Sequence, residues 1–133
     1  MIVSIEREEF RVDGICPPIS HYTDAVRFGN LLFISGIAPA DGNGKVVFPD
    51  DPVAQTRFIL ECMQKVLESA GASFENILRV TVYLTDVADR VKINPVRQEF
   101  FGSTLPASTL IGVKALALPG MRVEIEAVAG LPL

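Results

Sequence analysis

The spacing of apolar positions changes along the chain, and each change marks an element. From Ile2 to Val12 apolar residues recur loosely every second position, which predicts a strand. Asp13-Gly14 is a turn signal of the kind found in hairpins. Cys16-Pro17-Pro18 is extended and lacks two backbone donors. Ala25–Phe28 forms a short run before a Gly29-Asn30 turn, and Leu31–Gly36 reads as a buried strand. The period then becomes helical. Asp51 stands in the N-cap range, Pro52 opens the first turn, and Phe58, Ile59, Cys62, Met63, Val66 and Leu67 make one apolar stripe that Gly71 ends. Ser73–Asn76 predicts a short helical turn, and Ile77–Thr85 a β-branched strand. After a turn at Asp86–Asp89, Val91–Phe101 predicts a second helix with Pro95 in its first turn.

The last stretch predicts two strands joined by a turn. Thr109–Leu118 is rich in aliphatic and β-branched residues, and Pro119-Gly120 stops it. Arg122–Ala129 alternates: Val123, Ile125, Ala127 and Ala129 face one way, and Arg122, Glu124, Glu126 and Val128 the other. Two carboxylates thus share a face in an apolar segment, where each needs a partner, a water or an interface. The order β-β-β-α-β-α-β-β predicts an α+β fold, one sheet with both helices on one face. The opposite face is then bare in a chain this short, and self-association is the economical cover.

Composition narrows the function. One domain over 1–133 fits 133 residues, and 49% hydrophobic residues suffice for a core. A net charge of −4, with no clustered Lys and Arg, disfavours a nucleic-acid partner. No apolar run approaches the ~20 residues that span a bilayer, and the acidic start MIVSIEREEF is unlike a signal peptide. A cytoplasmic protein with no membrane partner is the expectation. Cys16 and Cys62 read as free thiols, no Cys/His cluster has metal-ligand spacing, and neither metal nor cofactor is expected.

Several segments together resemble one family. They are Phe28–Gly36 (FGNLLFISG), Glu68–Gly71 (ESAG), Val80–Leu84 (VTVYL) with Asp86, Asn94 with Phe100-Phe101, Pro106-Ala107, and Val123–Ala129 (VEIEAVA). In this order and spacing the chain resembles the YjgF/RidA family, the reactive intermediate deaminases, also called endoribonuclease L-PSP. The resemblance implies a chorismate-mutase-like α+β fold and a homotrimer with a cleft between each pair of subunits. It implies hydrolysis of a small enamine or imine metabolite to a keto acid and ammonia. It makes Glu124 the residue that positions water and Tyr22 a wall of the cleft, and it places Asn94, Ala107 and the position after Pro-Ala among the substrate-binding residues.

That last position departs from the family. An arginine there clamps the substrate carboxylate, and here it is Ser108. Ser20-His21 replace the family's Gly-Pro before the tyrosine, and Ile37 replaces its glutamine after Ser-Gly, so His21 and Ile37 join the candidate substrate contacts. Arg27, Arg97, Lys114 and Arg122 are the cations available to replace the clamp; Lys114 and Arg122 read as solvated beside the closing turn. Glu124 is either the water-holder or a structural carboxylate at a seam. His21, the only histidine, is either a general acid–base or an ordinary surface residue. Three functions stay open. The first is a Rid-type deaminase with altered substrate preference, an aminomuconate-type intermediate being one candidate. The second is a non-catalytic small-molecule-binding trimer, and the last is an endoribonuclease.

Overall fold

The structure, a computed structural model, describes residues 6–132. Strands β1 (Arg7–Phe10), β2 (Ala25–Phe28) and β3 (Leu31–Ile37) precede helix α1 (Pro52–Ser69). Strand β4 (Ile77–Leu84), helix α2 (Arg90–Phe101), β5 (Ala107–Gly112) and β6 (Val123–Gly130) follow. Of the strand expected from Ile2, the part before Glu6 lies outside the described residues. Single 3-10 turns at Phe74–Asn76 and Val87–Asp89 lead into β4 and α2.

Local chemistry explains the helix ends. Asp51 caps α1 by accepting from the Ala54 amide at 3.0 Å, with Pro52 in the first turn. Gly71, at φ +73°, takes the left-handed conformation that ends the helix. Helix α2 starts at Arg90, so Pro95 sits in the second turn and not the first.

The strands form one mixed sheet in the order β1-β2-β3-β6-β4-β5. Both helices pack on one face, where Leu32, Ile34, Val80, Val82 and the odd-numbered residues of β6 are buried against Ile59, Met63, Ile93 and Val96. The alternation read from β6 is the observed one, buried and half-buried in turn along its eight residues. On the opposite face Phe28, Leu31, Phe33, Leu78 and Ile111 are all exposed, Phe33 by 48%.

The predicted closing hairpin is not formed. β5 pairs with β4 in parallel, and β6 inserts between β3 and β4, antiparallel to both. A parallel pair needs a crossover, and α2 supplies it. The aliphatic run after Gly112 is no strand; Val113, Leu116 and Leu118 lie half-buried in an irregular segment. Gln55 holds that segment. Buried in α1, its amide donates to the carbonyls of Phe48 (3.0 Å) and Gly120 (2.9 Å) and accepts from the Arg122 amide (2.8 Å). Arg122 is not solvated: its guanidinium donates to the buried Asp89 carboxylate at 2.7 Å.

Candidate functional site

The sheet alternation places Glu124 and Glu126 on the open face, opposite Tyr83 and Thr81 of β4. The Tyr83 hydroxyl donates to Glu126 at 3.0 Å, and that bond raises the phenol's pKa. Glu124 has no such donor among the described residues. Its carboxylate lies against Gly36, where a Cβ would come within 3.0 Å of Oε1. Gly36 lies within a register shift of β3 between Ile34 and Ile37. Bulges recur beside functional sites because they re-aim neighbouring groups. Burial, and then the charge of Glu126, holds the Glu124 carboxyl above the usual carboxylate range.

Glu124 opens into a cleft of about 310 Å³ with Ile19, Ser20, Tyr22, Ser35 and Ala117. Tyr22 is 45% exposed, and its hydroxyl accepts from the Ile19 amide at 3.3 Å. The Ser35 hydroxyl donates to the Thr23 carbonyl at 2.6 Å. Glu124 and Tyr22, the expected catalytic pair, therefore share one cleft. His21 is exposed and outside its lining, which its neighbours Ser20 and Tyr22 provide. Ile37 pairs with Ile125 and lines a small enclosed space with Ile15, Cys16 and Cys62. Burial raises the pKa of both cysteines, that of Cys62 to about 11, so neither thiol is activated.

Ser108 stands elsewhere. It pairs with Val80 of β4, a buried core residue, so it projects to the helix side of the sheet, away from Glu124. There its hydroxyl accepts from Arg97 Nη2 at 3.0 Å. Asn94, Arg97, Gln98 and Ser108 line two adjoining hollows between α2 and β5. Ala107 is exposed at the start of β5, opposite Arg79. Within the chain the candidate residues thus fall into two groups. Tyr22 and Glu124 form one and Asn94 and Ser108 the other, and their clefts share no lining residue. Reading the sequence missed Ala117, which belongs to the irregular segment before β6.

Among the described residues no group of three or more His, Cys, Asp or Glu could hold a metal ion. None of their helices is long and apolar enough to cross a membrane.

The chain is similar to known proteins over most of its length. A RutC family protein of Pyrococcus horikoshii is 40% identical over 112 residues, 84% of this chain and 88% of that one. The 3-aminoacrylate deaminase RutC of Acinetobacter baylyi is 37% identical over 117 residues, 88% of this chain and 92% of that one. The crystal structure of RidA from an Antarctic Psychrobacter superposes with a TM-score of 0.87 at 27% identity, covering 93% of this chain and 99% of that one. The family model for endoribonuclease L-PSP matches residues 15–131, and with these relatives it shows that the chain belongs to that family, the YjgF/RidA proteins.

Proposed function

We propose that the protein is a Rid-type deaminase, a cytoplasmic hydrolase of one domain over 1–133 that converts a small imine or enamine to a carbonyl compound and ammonia. The observation that carries the reading is the Glu124 carboxylate, held without a hydrogen-bond donor against Gly36 at the base of the Tyr22 cleft. Its raised pKa suits a group that takes a proton and later returns it. Water adds to the C=N carbon while Glu124 accepts its proton. The proton passes to nitrogen, the C–N bond breaks, and ammonia leaves as the carbonyl forms. An enamine enters the same path after protonation at carbon. The similarity to a 3-aminoacrylate deaminase supports this chemistry.

The site is completed in a homotrimer. The bare sheet face carries five exposed large apolar side chains, and the two candidate groups lie in separate clefts that a neighbouring copy can join. Replacing the arginine after Pro-Ala by Ser108 alters substrate preference, with aminomuconate-type intermediates as one class to try. The same replacement favours a second reading, a trimer that binds a metabolite without turning it over. The net charge of −4 weighs against nucleic acid as substrate.

The test is ammonia release from imines generated in place, with the particle mass measured alongside. The expected result is a particle about three times the 14.4 kDa chain and a loss of about 100-fold or more on Glu124→Gln, the scale of a general base. No release from any imine, with retained ligand-induced stabilisation, selects the second reading.

A further inference from the structure

Arg97 is a half-buried guanidinium with no carboxylate partner among the described residues. Its only hydrogen bond there is the one donated to the neutral Ser108 hydroxyl, which leaves most of its five donors unused. Burial alone acts on its basicity, lowering it, with no anion to offset the effect. Leaving a cation part-desolvated and unpaired is unfavourable unless something else supplies the negative charge. Arg122, also half-buried, lies 2.7 Å from the Asp89 carboxylate.

The surroundings suit an anion. Neither hollow lined by Arg97 has an acidic residue in its wall, and Arg90 lines one of them as well. Asn94 stands one turn before Arg97 on the same helix face and supplies an amide donor. The Ser108 hydroxyl accepts from Arg97 and so keeps its own proton for a ligand oxygen.

We propose that Arg97, aligned by Ser108, is the carboxylate-binding residue of this protein, the charge reaching the edge of β5 from helix α2 and not from the strand itself. The substrate class is then a small imine or enamine that bears a carboxylate. The deaminase reading enters only in naming that substrate; the anion site stands on Arg97 and Ser108. A planar guanidinium can pair both carboxylate oxygens, which a lysine cannot do. Ser108 is a positioning residue, because it acts through Arg97.

The test is binding of pyruvate against its neutral amide, pyruvamide, by titration calorimetry of the intact oligomer. Pyruvate is expected to bind the native protein more tightly than pyruvamide. Arg97→Gln should weaken pyruvate at least about tenfold, the loss expected for a charge-assisted hydrogen bond, and leave pyruvamide unchanged. Adding Ser108→Arg to Arg97→Gln should restore the preference, which a merely misfolded variant would not do. Pyruvate bound no better than pyruvamide, undetectable binding of both included, overturns the proposal, as does a preference that survives Arg97→Gln. An Arg97-dependent preference in a protein that releases no ammonia from any imine keeps the anion site and removes the deaminase.

Discussion

Glu124 and Glu126 are two residues apart on one strand face, yet their surroundings separate them. Glu126 accepts from the Tyr83 hydroxyl, while Glu124 faces Gly36 and the cleft. The raised pKa of Glu124 has burial as its first cause and Glu126 as its second. A base works in its deprotonated form, so the acid limb of kcat/KM should lie above the ordinary carboxylate range. Glu126→Gln removes the repulsion and keeps an acceptor for Tyr83. The limb should then move to lower pH without returning fully, since burial remains. A pH profile of ammonia release checks this, and an unmoved limb would detach Glu124 from the rate. The period of two predicted that these carboxylates share a face. It did not identify the partner that satisfies Glu126, because the donor Tyr83 comes from another strand.

At the scale of elements, the segment between β5 and β6 shows how one buried polar residue shapes a site. Gln55 falls on the α1 stripe, four residues before Ile59, where an apolar residue is expected. Its amide serves backbone groups on both sides of the connection: Val47, Phe48 and Gly120 accept from it, and Arg122 donates to it. That fixes the entry into β6 and the path of Ala117 along the cleft. Gln55→Ala leaves those groups without partners and should cost about 2–4 kcal/mol, read as a lower denaturation midpoint at unchanged slope. A polar residue on an apolar stripe was a visible signal, but its partners lie far along the chain. The same segment misled the strand prediction. Its aliphatic residues cover other elements and make no ladder, and sequence periodicity does not separate those two uses.

For the whole molecule, the open sheet face sets the proposed assembly. Phe33 is exposed at its centre, paired with Val26 on one side and Val128 on the other. Phe33→Glu puts a charge where the trimer would exclude water, which is costly without a partner. The expected outcome is a folded particle of the single-chain mass, 14.4 kDa, that no longer releases ammonia. A variant that keeps both the assembled mass and activity would place the seam elsewhere. Because Tyr22 and Glu124 line one cleft while Asn94, Arg97 and Ser108 line others, loss of assembly and loss of activity should go together.

By itself the sequence determined the order of elements, both ends of α1 and the face assignment of β6. These depend on neighbours within a few positions: Asp51 with Ala54, the α1 stripe, the strict alternation from Val123 to Ala129. The resemblance extended this to the family. Only the tertiary structure decided that β6 sits between β3 and β4, that Gly36 abuts Glu124, and that Ser108 faces α2 and meets Arg97. Each of those joins residues distant in sequence, and strand pairing is set by which long-range ladders and crossovers bury the most apolar surface. No local pattern records that competition.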